Sequence, residues 1–198
     1  MAPVTQALLV ANVAAFLLQM FAESFPLSNF ALWPLHIPAG VHASFQLWQV
    51  VTYSFLHGNL MHLLFNMLAL YMFGSDIERV VGPRRFVVYY FVCVVAAAIA
   101  QLGIAALGNS PPYPTVGASG GVFGLLLAFG LYFPRRMVML IFPPIPMPAW
   151  LFVTLYGLLS LFLGVTGSYE GVAHFAHLGG MLGGYLMIQY WRSGSRMR

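Results

Sequence analysis

The sequence is short of charged residues and of the side chains that build secreted or metal-bound domains. It has no lysine, one cysteine and four acidic residues, and charged residues make up 6% of the chain. Soluble globular domains contain about 25% charged residues. The single thiol, Cys93, lies in an apolar run, so neither a disulfide framework nor a thiolate metal site is supported. An ordinary soluble domain is thereby excluded.

Hydrophobic residues, by contrast, make up 61% of the chain, and the mean hydropathy is +0.85. A helix needs roughly 20 apolar residues to cross a bilayer. The first apolar run lacks the basic segment of a secretory signal and is interpreted as a retained span. The prediction is an all-α membrane protein, one transmembrane domain over 1–198 without a soluble domain. Its six spans are predicted at about 5–22, 54–75, 85–107, 117–133, 147–165 and 171–191.

Proline-containing segments separate several of these spans. The long first connection, 23–46, holds three prolines and several aromatic residues, which favours a loop lying on or partly in the membrane. Further loops are predicted at 109–114 and 142–146, because a helix does not pass through their prolines.

The eight arginines give the predicted orientation. They follow spans two, four and six, whereas Glu23 and Glu170 lie on the opposite side. By the positive-inside rule, both termini are expected in the cytoplasm. The same rule accounts for the net charge of +4, so no nucleic-acid partner is predicted. The arginines are Arg79, Arg84, Arg85, Arg135, Arg136, Arg192, Arg196 and Arg198.

Polar residues on three spans share one predicted depth. Ser119 and His177 lie 16 and 15 residues before the arginine that follows their spans; His62 and Asn66 lie 17 and 13 before theirs. At a rise of about 1.5 Å per residue these separations are roughly 20–26 Å. The hydrocarbon core is about 30 Å thick. All four side chains are therefore expected in one layer beneath the outer surface, which indicates a site.

Ser119 lies among small residues, so it could serve helix packing or act as a nucleophile. The pairs Gly117/Gly121 and Gly120/Gly124 are spaced for close helix packing, and Ser119 alone fits that role. The G-x-S-x-G elbow of α/β hydrolases needs a preceding strand, and a proline-rich loop precedes Ser119 instead. Span six carries its own small pairs, so the two helices are predicted to pack together and bring Ser119 towards His177. Those pairs are Gly179/Gly183 and Gly180/Gly184.

The histidines supply the remaining candidate chemistry. An ionisable residue inside a span is costly and indicates function. His177 shares a helix face with His174 and is suited to accept the serine proton. None of the four carboxylates is placed to orient it, so a Ser–His pair without a third acid is expected. His62 and Asn66 are one turn apart and could stabilise an oxyanion, the alternative being a helix–helix hydrogen bond. His57 is expected to fix a loop.

Together these segments resemble the rhomboid family of intramembrane serine proteases. Residues 117–120 resemble its G-x-S-G motif, 57–66 its second-span H-x(4)-H-x(3)-N motif, and 174–180 its sixth-span histidine motif. Residues 78–82 resemble its E-x(3)-G turn. The resemblance covers about residues 45–190, and the first span and its loop in outline. It implies a rhomboid-like six-helix bundle that hydrolyses transmembrane substrates near the outer face, often after a small residue.

The resemblance also implies residue roles. Ser119 would be the nucleophile, His177 the base, and His62 and Asn66 the oxyanion donors. It implies no cofactor or metal, substrates that are single-pass or multi-pass membrane proteins, contact with membrane lipid, and a bacterial inner membrane. The sequence does not indicate the oligomeric state. The supporting residues would be His57, Gly117, Gly120, Phe123 and His174.

Two positions depart from the family pattern. Gln49 follows Trp48 where the family often has arginine, which predicts a weaker anchor for the first loop. Phe123 stands where some relatives have tyrosine; it lies one turn after Ser119 and is expected to pack against the His177 ring.

Two other functional classes stay open. A metal or haem membrane protein would use His57, His62, His174 and His177 as ligands, but Asn66 and the Ser119 motif would then have no role. A non-proteolytic relative that binds membrane proteins would need no intact nucleophile and base, yet both are present.

Overall fold

The structure is a computed structural model that describes residues 1–22, 25–37, 43–107, 113–139, 144–166 and 173–196. Long helices dominate these residues, and short helices lie in the first connection. The long helices are α1 (Pro3–Phe21), α4 (Leu60–Ala69) continued through a π-helical turn (Leu70–Gly74) into α5 (Ser75–Val81), α6 (Pro83–Leu107), α7 (Ser119–Tyr132), α8 (Ala149–Thr166) and α9 (His174–Arg196). The short ones are α2 (Phe25–Phe30), α3 (Gln49–Thr52) and a 3₁₀ turn (Tyr53–Phe55).

Four helices in the described residues are long and apolar enough to cross a bilayer alone: α1, the continuous helix Leu60–Val81, α6 and α8. Helix α7 is apolar but has 14 residues, a length of about 21 Å. It begins inside the bundle, where all of its glycines and two of its leucines, Leu125 and Leu126, are buried by neighbouring helices. The predicted class, an all-α membrane bundle, is confirmed, and the chain is an integral membrane protein.

The second span begins later than the sequence predicted. Residues 49–55 form α3 and the 3₁₀ turn, and α4 starts at Leu60 rather than near residue 54. Asn59 is its N-cap: the Asn59 Oδ1 accepts a hydrogen bond from the His62 N–H at 2.8 Å and satisfies a donor that a helix start leaves free. The span then runs to Val81 and ends at Gly82, whose φ of 82° suits glycine.

Glycines allow α7 and α9 to meet backbone to backbone. A side chain on Gly180 would overlap the carbonyl group of Gly120, and one on Gly124 would lie 3.2 Å from the Gly180 carbonyl oxygen. The predicted contact of the two helices is therefore confirmed on this face. The second small-residue pair of α9, Gly179 and Gly183, was wrongly predicted to pack against α7. It packs against alanines of α6 instead.

The end of the second span is joined to two other helices. The buried Glu78 carboxylate accepts hydrogen bonds from the N–H groups of Val4 and Thr5 and from the Thr5 hydroxyl at 2.7–3.0 Å. Asp76 forms ion pairs with Arg79 at 3.1 Å and with Arg136, beyond α7, at 2.7 Å. The first turn of α1 and the ends of α5 and α7 therefore lie at one end of the bundle.

Arg85 and Trp191 add a further contact at that end. The Arg85 guanidinium lies 5.7 Å from the Trp191 ring, which places the start of α6 beside the end of α9. Glu23, Glu170 and Arg198, which the predicted orientation also used, lie outside the described residues.

Gln49 anchors the first loop through four hydrogen bonds, and the predicted weakness of this anchor relative to one with arginine stays a prediction. Its buried Oε1 accepts hydrogen bonds from the N–H groups of Trp33 and Gln46, both at 3.2 Å. Its Nε2 donates to the carbonyls of Asn29 and Ser44 at 3.3 and 3.1 Å. A neutral amide thus ties four backbone groups together. The sequence did not reveal these partners, because only the fold shows which backbone groups surround the side chain.

Two short strands close the connection between α7 and α8. β1 (Met137–Met139) pairs antiparallel with β2 (Pro146–Pro148). Of the proline-rich loops predicted at 109–114 and 142–146, the structure describes 113–114 and 144–146, and β2 begins at the last of these residues. Beside the first of these loops, Leu32 and Thr115 exchange two backbone hydrogen bonds at 3.0 and 2.9 Å. The first connection thereby holds the segment that leads to Ser119.

Candidate active site

Ser119 is the first residue of α7, and a constrained glycine precedes it. Gly117 has a φ of 124°, a conformation that favours glycine. Its N–H donates to the Tyr53 carbonyl at 3.0 Å. A methyl group added to Gly117 would lie 2.8 Å from two atoms of the His62 ring. Both the backbone conformation and the space therefore require glycine at this position.

Ser119 and His177 are in hydrogen-bond contact across two helices. The Ser119 Oγ and the His177 Nε2 are 3.0 Å apart, although 58 residues separate them in sequence. The close approach of α7 and α9 at Gly120 and Gly180 makes this distance possible. Gly120 itself has no room for a side chain, which would meet Ala97 of α6. A hydroxyl and an imidazole at this distance can exchange a proton, which is what a nucleophile and a general base require.

The His177 ring is held by neighbouring rings. Phe123 stacks on it with ring centroids 4.1 Å apart and an angle of 6°, as the sequence predicted. The buried His174 meets it edge-on at 6.0 Å. The buried His177 Nδ1 has no hydrogen-bond partner in the described part of the chain. Of the four carboxylates, the two described, Asp76 and Glu78, are bound at the arginine-bearing end of the bundle.

His62 approaches the serine from the second span. The Cε1–Nε2 edge of its ring lies against Gly117, and a methyl group added to Gly117 would be 3.7 Å from the Ser119 Oγ. On the other edge, the His62 Nδ1 accepts a hydrogen bond from the Gly58 N–H at 3.4 Å. The His57 ring is fully buried and packs edge-on against His62 at 5.2 Å. His57 thus supports His62 as well as the loop.

Asn66 lies one turn further along α4 and lines the same cavity. Its Nδ2 donates to the His62 carbonyl at 2.9 Å. An amide NH₂ has two donors, so this bond within the helix leaves one N–H of Asn66 for another acceptor. Ser119, His177, His62 and Asn66 are therefore brought to one place, as the shared depth predicted.

A cavity of about 930 Å³ opens onto these side chains. Its walls are mostly apolar and come from the second span, the segment 113–116, α7, α8 and the start of α9. A cavity of this size can hold a peptide segment and water. Lining residues besides Ser119, His177, His62 and Asn66 include Met61, Phe65, Met72, Phe123, Phe152 and Tyr156.

The histidines do not form a metal centre among the described residues. No group of three or more His, Cys, Asp or Glu side chains there is placed to hold a metal ion. His57 and His62 form one ring pair and His174 and His177 form another.

Sequence reasoning missed Tyr53. Its carbonyl accepts the Gly117 N–H, and its buried hydroxyl donates to the Val94 carbonyl at 2.8 Å. It thereby joins the loop before Ser119 to α6. Every residue has a backbone carbonyl, so the residue type at position 53 gave no signal that this carbonyl binds Gly117.

Comparison with known proteins identifies a matching family and several similar proteins. The Rhomboid domain family matches residues 44–193. The chain is 29% identical over 140 residues to Rhomboid protease GluP of Bacillus subtilis, covering 70% of this chain and 25% of the relative. It is 30% identical over 142 residues to Rhomboid protein 1, mitochondrial, of Saccharomyces cerevisiae, covering 71% and 41%.

A third relative is Rhomboid protease GlpG of Klebsiella pneumoniae, which is 29% identical over 99 residues, covering 50% of this chain and 34% of the relative. The matched part thus spans between a quarter and about two fifths of these relatives.

Proposed function

Because this chain belongs to the rhomboid family, we propose that it is an intramembrane serine endopeptidase that acts through a Ser119–His177 dyad. The observation that carries the proposal is the 3.0 Å distance between the Ser119 Oγ and the His177 Nε2, inside an apolar bundle. Two relatives in the comparison are named as rhomboid proteases. Its substrates would be membrane proteins with a transmembrane segment that enters the cavity.

The proposed reaction has two halves. In the first, His177 takes the proton of Ser119 while Oγ bonds to the substrate carbonyl carbon; His177 then protonates the leaving amine as the C–N bond breaks. In the second, a water gives its proton to His177 and attacks the acyl-enzyme. The acyl–Oγ bond breaks, and Oγ regains the proton. The stack with Phe123 keeps the His177 ring in line throughout.

The negative oxygen formed in each half needs hydrogen-bond donors. His62 is placed beside Gly117 and Ser119, and Asn66 has one free amide N–H on the same cavity. We assign the oxyanion to these two donors. The cavity that they line would also admit the water, since a water-filled space at membrane depth must be lined by protein.

Substitution of Ser119 by Ala tests the proposal. It should lower cleavage of a fluorogenic transmembrane peptide at least 1,000-fold and abolish labelling by a fluorophosphonate probe, because no other described hydroxyl contacts His177. His177→Ala should have the same effect. The matched control is Ser193→Ala, whose hydroxyl bonds to the Tyr190 carbonyl away from the cavity. Cleavage that survives in Ser119→Ala would refute the proposal.

The orientation is part of the same proposal. The arginine-bearing end of the bundle would face the cytoplasm of a bacterial inner membrane, with both chain termini there and the cavity near the outer face. Alkaline phosphatase fused after residue 198 should then be inactive, and a fluorescent protein fused there should fold. Active phosphatase at that position would reverse the orientation.

A further inference from the structure

Gln19, in the last turn of α1, is hydrogen-bonded to a backbone segment beside the site. Its Nε2 donates to the His57 carbonyl at 2.8 Å, and its Oε1 accepts from the His57 N–H at 3.2 Å. The amide therefore satisfies both backbone groups of one residue, as a neighbouring β-strand would. Gln19 has no part in the proposed chemistry, and α1 contributes nothing to the cavity lining described above.

The segment that Gln19 holds is the one that orients His62. Gly58 donates its N–H to the His62 Nδ1 at 3.4 Å, and Asn59 caps the helix by accepting from the His62 N–H at 2.8 Å. The His57 ring packs against the His62 ring. Three successive residues, 57–59, thus fix the position of His62. Gln19 binds both the N–H and the carbonyl of the first of them, His57.

The Gly58 contact selects the tautomer of His62. A neutral imidazole carries one N–H, and the nitrogen that accepts a hydrogen bond is the one without it. Because Nδ1 accepts from Gly58, the proton lies on Nε2. The Nε2 edge of the ring is the one that faces Gly117, next to Ser119. This tautomer presents a donor to the proposed oxyanion, whereas the other would present a lone pair.

We propose that Gln19 is a positioning residue for the reaction. By holding His57, it keeps the Gly58 N–H on the His62 Nδ1 and so keeps His62 as an Nε2–H donor towards Ser119. The inference rests on the proposed function, because it gives His62 the oxyanion role. It extends the site to α1, which the sequence motifs did not include.

The role requires an amide of this length. Leucine has a similar size but neither donates nor accepts, and ionised glutamate has two acceptors and no donor. Gln6 provides a matched control: it lies on the same helix, is exposed, and has no described side-chain hydrogen bond. Gln19→Leu and Gln6→Leu are the same chemical change in two settings.

The first measurement is the kinetics of cleavage of a fluorogenic transmembrane peptide. Removing an oxyanion donor outright lowers kcat by about 10²–10³. A donor that is only less well held should cost less, so Gln19→Leu is expected to lower kcat about tenfold and to change KM by less than twofold. Gln6→Leu is expected to change neither constant. Equal kinetics in the two variants would overturn the proposal.

A double-mutant cycle separates positioning from general stabilisation. If Gln19 acts through His62, Gln19→Leu should cause no further loss in a His62→Ala background. The same tenfold loss in both backgrounds would overturn the proposal. Ring ¹⁵N spectra give an independent readout: His62 should be the Nε2–H tautomer in the native protein and a mixture of tautomers in Gln19→Leu.

Ser119→Ala in the same assays keeps the two proposals apart. Retained cleavage in Ser119→Ala would remove the proposed function itself, whereas lost cleavage together with an inert Gln19→Leu would overturn only the role of Gln19. If Gln19→Leu does not fold, Gln19→Glu replaces it, since it keeps the acceptor for the His57 N–H. Its loss should be smaller and should also vanish in His62→Ala; an equal loss in both backgrounds would overturn the proposal.

Discussion

Two glutamines, Gln19 and Gln49, each hold a loop segment of this protein through hydrogen bonds of their neutral side-chain amides. Gln49 uses two acceptor sites and two donors on four backbone groups of the first loop. An arginine at this position would offer five donors and no acceptor, so it could not accept from the N–H groups of Trp33 and Gln46. The amide also avoids the cost of burying a charge. The backbone groups of this loop are therefore arranged to suit glutamine.

Gln49→Ala should lower the free energy of unfolding by about 2–4 kcal/mol, because it removes four hydrogen bonds around a buried site. The measurement is titration with a denaturing detergent. Gln46→Ala is the control: it removes one exposed hydrogen bond to the Ser44 hydroxyl and should cost less than about 1 kcal/mol. If the two variants were equally stable, Gln49 would not be the anchor.

Helix packing brings the nucleophile and base together. Without a hydrophobic force between helices in lipid, small residues that permit close backbone approach determine the contact. Gly120 and Gly180 form such a contact between α7 and α9, near Ser119 and His177. A side chain at either glycine would push apart the two helices that carry the dyad.

Gly180→Ala should therefore lower cleavage at least 100-fold, since its Cβ overlaps the Gly120 carbonyl. Overpacking of this kind costs about 1–3 kcal/mol, which detergent titration should detect as well. Gly103→Ala is the matched control in α6, where an added Cβ has no neighbour within 4 Å. It should leave cleavage unchanged and stabilise the helix by up to about 1 kcal/mol. Normal cleavage in Gly180→Ala would contradict the packing argument.

For the whole molecule, one buried carboxylate connects the first span to the rest. Glu78 accepts three hydrogen bonds from the first turn of α1, where the helix dipole also favours a negative charge. Helix α1 thus begins where the second span ends. At its other end α1 carries Gln19, so the Glu78 contact helps to place the residue that holds His57.

Glu78→Ala should lower the free energy of unfolding by at least about 4 kcal/mol, because it removes three hydrogen bonds to a charged acceptor, which contribute about 1.5–3 kcal/mol each. Asp76→Ala removes the same charge from the same helix. Its ion pairs are to arginines with exposed side chains and should contribute about 1 kcal/mol or less. A larger loss in Asp76→Ala than in Glu78→Ala would contradict this assignment.

The sequence by itself determined the class of the protein and the family, and it predicted that the four polar residues, which line one cavity, come together. Each is readable because a polar or charged residue in an apolar span is costly and stands out. The stack of Phe123 on His177 followed from one turn of helix spacing. These are local properties that need no knowledge of which helices are neighbours.

Only the tertiary structure decided which groups meet. It placed Gly179 and Gly183 against α6 rather than α7, began the second span at Leu60, and gave Gln49 four partners. It also joined Gln19 to His57 and Gly117 to Tyr53. Several of these contacts are made by backbone groups far apart in sequence. Every residue carries such groups whatever its side chain, so no pattern of residue types could reveal them.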